Sequence, residues 1–208
     1  MCFRTRSFCY SFGETKGVLY YRRDQTLSEF GILIVGKAGQ GAIFASVLLA
    51  EAAFLSRKHV AQTSKTGAGV RNGNVEAHVI VSDEPIYFPY ITKSNVLISL
   101  SNNPIDKHIN TIHSDGLVLT DGCENKIVKN LGYVHFSLNC KAALMRENIS
   151  EEQTNILMLA AAVTLCDIVN INCLLEAAKT IDQLNQKEII KSLLLGVELA
   201  QQCKNSCL

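Results

Sequence analysis

Apolar positions along this chain come in two textures: short continuous or alternating runs before residue 139, and longer helix-spaced stretches after it. Gly31-Ile32-Leu33-Ile34-Val35 is an unbroken run, β-branched at three of its five positions and closed by Gly36. A run without polar alternation predicts a strand buried on both faces. Gly36-Lys37-Ala38-Gly39-Gln40-Gly41 follows as a turn, and the alanine- and leucine-rich stretch from Ala42 to Phe54 predicts a buried helix. Strand, glycine turn and helix together open a βαβ unit.

From His59 to Arg71 the chain is polar and irregular, and no element is predicted there. Val75, Ala77, Val79 and Val81 then alternate with Glu76, His78 and Ile80, the period of a strand with one face in the core. Ser82-Asp83-Glu84-Pro85 supplies its turn. Further strands are predicted at Asn95–Leu100, Gly116–Thr120 and Tyr133–Phe136, with Asn103-Pro104 reading as an N-cap and first helical residue. Helical spacing takes over in Gln153–Cys166, Cys173–Thr180 and Gln186–Gln202. The order predicts a three-layer α/β/α, Rossmann-like single domain with a helical C-terminal portion, spanning residues 30–203. The segment 1–29 contains Arg4, Arg6, Arg22 and Arg23 and lacks the apolar core of a signal peptide. It is expected to be a disordered extension, or sequence upstream of the true translation start.

Composition narrows the function classes. At 208 residues and 48% apolar, the chain has enough material for one core and is not of disordered type. Twenty basic residues against nineteen acidic ones create no field towards nucleic acid or an anionic membrane. No stretch approaches the roughly 18 consecutive apolar residues of a membrane helix. The eight cysteines form no CxxC pair and no cluster-binding run, which suits free thiols in a reducing cytoplasm. Cys203 and Cys207 stand one helical turn apart, without histidine or acid neighbours to make a metal site. The five histidines are scattered, and no acid–base or metal role is assigned to them.

The turn Gly36, Lys37, Gly39, Gln40 and Gly41 is the one local motif with chemistry in it. Backbone N–H groups and a helix N-terminus converge at such a turn, so it suits an anion. The dinucleotide fingerprint fails because Ala38 stands where its second glycine belongs, and no acid follows about twenty residues on. The phosphate loop of nucleotide hydrolases fails because no Gly-Lys-Ser/Thr follows. A purely structural reading remains open: the glycines permit a tight turn and close helix–sheet packing.

Taken in order, several blocks resemble one family. Val35-Gly36-Lys37-Ala38-Gly39-Gln40-Gly41 and Leu49-Ala50-Glu51-Ala52-Ala53 are similar to the N-terminal motif of the gamma subunit of 2-oxoacid:ferredoxin oxidoreductases. Thr66-Gly67-Ala68-Gly69-Val70-Arg71-Asn72-Gly73 resembles the family's Y-G-x-E-x-R-G-G loop. Val79 to Ile86, with Pro89, resembles the V-x-I-S-D-E-P-I segment of its 2-oxoglutarate branch. Asp121, Asn155 to Ala160 and Gly196 to Ala200 fit later family positions. The likeness spans about Gly31 to Gln202, with departures at Ala38, Gly69, Asn72 and Ala160.

The resemblance implies a subunit of a complex that oxidatively decarboxylates a 2-oxoacid, with coenzyme A and ferredoxin as co-substrates. It implies alpha and beta partner subunits, with or without a delta. No cofactor is expected on this chain alone; thiamine diphosphate, magnesium and iron–sulfur clusters are expected in the partners. It places Gly67, Arg71, Asn72 and Gly73 near the active site or a subunit interface, with no catalytic residue assigned. Arg71 is the residue expected to carry chemistry there, since a guanidinium grips a carboxylate or phosphate with two hydrogen bonds; an intersubunit or internal salt bridge is the alternative reading. Two other readings stand beside this one: a free-standing nucleotide- or anion-binding module, and a divergent subunit retained for assembly only. Within the family the indolepyruvate-type small subunit is the nearest rival, and Ser82-Asp83-Glu84-Pro85-Ile86 favours the 2-oxoglutarate or pyruvate side.

Overall fold

The computed structural model describes residues 29–67, 73–101, 105–122, 126–130, 133–181 and 185–205. Its strands are β1 (Glu29–Lys37), β2 (His59–Thr66), β3 (Asn74–Ser82), β4 (Ser94–Ser99), β5 (Ile112–Asp121), β6 (Lys126–Asn130) and β7 (Tyr133–Leu138). Its helices are α1 (Ala42–Leu55), α2 (Ile105–His108), α3 (Cys140–Arg146), α4 (Thr154–Cys166), α5 (Ile171–Ile181) and α6 (Gln186–Asn205), with single 3₁₀ turns at Ile109–Thr111 and Glu151–Gln153. The strands form one sheet in the order β2-β3-β1-β4-β5-β7-β6. β1, β4, β5 and β7 run parallel, β3 and β2 continue the sheet antiparallel beyond β1, and β6 closes the other edge antiparallel to β7.

The two faces of the sheet are covered unequally. Phe30, Ile32 and Ile34 of β1 share a core with the helix-facing residues of β3, β4, β5 and β7 and with α1, α3, α4, α5 and α6. Leu33 and Val35 turn the other way and pack with Leu97, Ile112 and Val118, with Ile109 of the 3₁₀ turn and Tyr133 against them. The unbroken apolar run in β1 therefore has the cause expected of it: a central strand has no side facing water. The α/β architecture is as expected, with its heavy helical layer on one face and the short α2 segment and its 3₁₀ turn on the other.

α4 is apolar on all sides because it is buried on all sides; Ile156 to Val163 are each at most 1% exposed. α6 crosses it closely at Gly196. A Cβ there would stand 2.2 Å from the Leu157 carbonyl oxygen and 2.8 Å from the Ala160 Cβ, so only glycine fits. Among the described residues no helix is long and apolar enough to cross a membrane. Cys140, Cys166 and Cys173 are free thiols.

Two strands lie where none was expected. β2 occupies the polar stretch after α1 and pairs with β3 from His59↔Ser82 to Thr66↔Val75. Its residues are half-buried or exposed, as an edge strand's are, and the partner's hydrogen bonds rather than local propensity make it a strand. β6 is held likewise by β7 from Lys126↔Ser137 to Asn130↔Tyr133. The Asn103-Pro104 helix start and residues 1–28 of the N-terminal segment lie outside the described residues.

Candidate functional site

The carboxyl ends of the parallel strands converge where open α/β sheets hold ligands. β1 delivers the glycine turn, β4 delivers Leu100, β5 ends at Asp121, and β7 leads into α3. The Leu100 N–H donates to the Val35 carbonyl at 2.8 Å, so the exits of β1 and β4 are tied together.

The turn is braced from within. Gln40 Oε1 accepts the Lys37 N–H at 2.6 Å, and Gln40 Nε2 donates to the Leu100 carbonyl at 3.0 Å. The Gln40 N–H returns to the Lys37 carbonyl, and the Ala38 N–H donates to the Gly73 carbonyl, each at 3.1 Å. A Cβ on Gly36 would meet Gln40 Oε1 at 3.0 Å and Leu100 Cβ at 3.2 Å, so this glycine serves close approach. Three of the turn's N–H groups, at residues 37, 38 and 40, are thus bound inside the protein. An anion at the turn would have to use the others. Gly39 stands open, with φ +92° and nothing within 4 Å of where a Cβ would lie.

Gly41 is the hinge into α1. It adopts φ +74°, and a Cβ there would lie 2.2 Å from Asn155 Nδ2. Asn155 Nδ2 donates to the Gly41 carbonyl at 3.0 Å, across 114 residues of sequence. That bond fixes which way the amide points and leaves Asn155 Oδ1 buried with no hydrogen-bond partner. Asn155 is only 5% exposed.

Beside this junction is a cavity of about 330 Å³, lined by Gly39, Gln40, Leu100, Asp121, Glu152 and Asn155, with Lys141, Glu151 and Thr154 completing the wall. Lys141 pairs with Glu151 at 3.0 Å. Asp121 Oδ1 accepts the Cys140 N–H at 3.2 Å. Burial first, and then the neighbouring Asp121 carboxylate, push the Cys140 thiol pKa well above its ordinary range, so it is no nucleophile. A larger hollow of about 740 Å³ lies by Arg57, Asp167 and Asn170, and none of the residues singled out in the glycine turn or second loop lines it.

The second loop's described feet sit against the first. Gly67 donates its N–H to the Asn74 carbonyl at 3.0 Å, and Gly73 accepts from Ala38. Lys37 pairs in register with Asn74, which carries the β2–β3 connection to the end of β1. Arg71 and Asn72 lie outside the described residues. Sequence reasoning missed the bracing role of Gln40 and the bond from Asn155 to Gly41. In the sequence Asn155 marks only the start of a helix motif, and nothing local shows that it faces a turn 114 residues away.

The histidines stand apart from the crevice lining. His78 and His108 flank Glu76 at 3.6 and 3.7 Å on the opposite face of the sheet. His135 Nε2 is 2.8 Å from Thr120 Oγ1.

Fold and crevice define a Rossmann-like α/β chain with a braced glycine turn at the carboxyl ends of its parallel strands. The chain belongs to the pyruvate ferredoxin/flavodoxin oxidoreductase family, whose description matches residues 31–198. Its likeness within the family is to gamma subunits. The keto/oxoacid ferredoxin oxidoreductase gamma subunit from Geobacter sulfurreducens superposes with a TM-score of 0.73 at 26% identity, over 85% of this chain and 99% of that one. The 2-oxoglutarate synthase subunit KorC of Methanocaldococcus jannaschii is 40% identical over 101 residues, 48% of this chain and 50% of that protein. The 2-oxoglutarate:ferredoxin oxidoreductase from Magnetococcus marinus, solved with 2-oxoglutarate, coenzyme A and succinyl-CoA bound, shares the fold at 17% identity and a TM-score of 0.71, over 86% of this chain and 32% of that one. The chain spans about half the length of the curated relatives it matches.

Proposed function

We propose that this chain is the gamma subunit of a cytoplasmic complex that oxidatively decarboxylates 2-oxoglutarate, with pyruvate the second candidate, yielding acyl-coenzyme A, carbon dioxide and reduced ferredoxin. The observation that carries this reading is the family match across residues 31–198. The named 2-oxoglutarate synthase relatives favour 2-oxoglutarate over pyruvate. Alpha and beta subunits, with or without a delta, are the proposed partners, and ferredoxin is reached through them. Thiamine diphosphate, magnesium and the iron–sulfur clusters are assigned to those partners. The described residues of this chain assemble no group of three metal-ligating side chains. The protein's share of cofactor chemistry is binding and orientation, and this chain's share is a rigid crevice for coenzyme A beside the active site. Arg71 is the proposed grip on a carboxylate or phosphate.

Anaerobic affinity purification of the chain from its own cells, with mass spectrometry, tests the assignment. Larger chains carrying thiamine diphosphate and iron–sulfur clusters should accompany it, and the assembly should reduce ferredoxin faster with 2-oxoglutarate than with pyruvate. A chain recovered alone as a monomer would overturn it. Arg71→Ala should lower turnover of the assembled complex without dissociating it; loss of assembly would make that residue structural.

A further inference from the structure

The connection from β3 to β4 turns aromatic side chains outward. Tyr87 is 90% exposed, Phe88 59% and Tyr90 56%. An aromatic side chain offers about 150–250 Å² each, so these three leave roughly 400 Å² in water. A patch of that size on a monomer usually marks a functional face. The connection is also anchored. Two of the chain's three prolines, Pro85 and Pro89, restrict its backbone. At its start the Glu84 N–H donates to Ser82 Oγ at 3.0 Å. At its return Ile91 packs on β1, where a Cβ on Gly31 would meet Ile91 Cγ2 and the Lys93 carbonyl oxygen, each at 3.3 Å. The rings of Phe88 and Tyr90 sit 5.3 Å apart at a tilt of 58°, a favourable aromatic pairing. Rings fixed in advance lose little freedom when a partner covers them.

We propose that Tyr87, Phe88 and Tyr90 form the core of the surface by which this chain holds a larger partner subunit, seated in an apolar groove of that subunit. The inference rests on the reading of this chain as one subunit of a complex, and it names the face that does the holding. The same fold makes up 32% of the longer Magnetococcus marinus chain, so its neighbour there is tethered in one polypeptide. Here the corresponding neighbour is a separate chain, and surface contacts alone must hold it. A standard interface buries about 800 Å² on each partner, with aromatic side chains at its centre and a polar rim. The three rings supply about half of that area. Phe54, 68% exposed, stands at the same end of the sheet, where the turn after α1 is tied to the connection by the Lys58–Asp83 ion pair. Charges near the rings are mixed, with Glu29 and Lys93 lining one small cavity beside Tyr90. Nucleic acid and anionic bilayers both call for a cationic field, so a protein groove is the better fit. Glu29 pairs in register with Ser82, which puts the connection where β1 begins, at the far end from the glycine turn. Docking there leaves the crevice open to a ligand.

The test is anaerobic affinity purification of the tagged full chain from its own cells, as wild type and as the triple variant Tyr87→Ser, Phe88→Ser and Tyr90→Ser. Recovery of larger chains should fall about thirtyfold or more, the scale of a single interface hot spot. Circular dichroism and Tm of the purified variant should match the wild type, because the rings are exposed. Leu194→Ser, which removes a comparably exposed side chain from α6, should leave recovery unchanged. Phe88→benzoylphenylalanine, irradiated in the assembled complex, should cross-link to one larger chain; if the triple variant fails to fold, this result decides alone. Undiminished recovery with the triple variant, an equal loss with Leu194→Ser, or no cross-link from position 88 would overturn the proposal and leave the subunit reading intact. A wild-type chain recovered without larger chains would overturn both. Dimerisation of that lone chain in sedimentation velocity, abolished by the triple variant, would assign the surface to a second copy instead.

Discussion

α1 and α4 begin within hydrogen-bonding reach of each other, and neither has a side-chain cap or an acid in its own first turn, yet what leads into them differs. α1 starts from Gly41 in a left-handed conformation, with no side-chain cap and no acid in its first turn. α4 is led in by Glu151 and Glu152, and Ser150 Oγ accepts the Glu152 N–H at 3.3 Å. A helix start holds roughly half a unit of positive charge, screened at α4 by the chain's own carboxylates and left open at α1. The same backbone element thus gives two electrostatic environments a few ångströms apart. The hydrogen bond that joins them, Asn155 to Gly41, is geometric rather than ionic. The residues around each helix start set the electrostatic surroundings of the crevice.

Breaking the joint itself should have the largest effect. Gly41→Ala forces a side chain onto φ +74° and into Asn155 Nδ2, and should cost about 3 kcal/mol, summing left-handed strain and overpacking. Gly39→Ala meets the strain at φ +92° but no neighbour, and should cost only about 1 kcal/mol. Urea unfolding of the pair measures the difference, and equal losses would show that Asn155 yields to the new methyl group. Next in size is Gln40→Ala, which removes both side-chain bonds that brace the turn, one to the Lys37 N–H and one to the Leu100 carbonyl. A loss of about 2 kcal/mol is expected, with faster amide exchange at Lys37. The α4 side should respond least: Glu152→Gln should change stability by less than about 1 kcal/mol, because the charge acts on an exposed helix start.

A pH scan addresses the sheet away from the crevice. Burial holds the pKa of His78, His113 and His135 below 6.5, aided at His113 by Lys93 and at His78 by Lys65, while Glu76 opposes the shift at His78. These rings stay neutral in the folded chain at pH values where the unfolded chain binds protons. Their contribution is therefore complete above about pH 6.5 and is lost as pH falls through the native pKa values. Tm should be lower at pH 5 than at pH 7.5, and imidazole shifts followed by NMR should place all three midpoints below 6.5. Midpoints above it would mean that the rings are wetter or better paired than the fold implies.

Much of the fold was legible in the chain. The run from Gly31 to Val35 announces a strand buried on both sides, and the all-round apolar α4 announces a helix with no wet face, because burial on every side leaves only one kind of sequence pattern. The glycines at 36, 39 and 41 mark a turn whatever surrounds it. β2 was not legible, since an edge strand carries no pattern of its own and exists because β3 offers it a ladder. Nor was the site: Ala38 meets Gly73, and Gly41 meets Asn155, only after the β2–β3 hairpin and the C-terminal helices have packed. The sequence by itself determined most of the elements and the family; the tertiary structure decided the edge strands and which side chains line the crevice. Local patterns reflect the average surroundings of a segment, whereas a hydrogen bond between distant residues depends on where the whole chain has placed them.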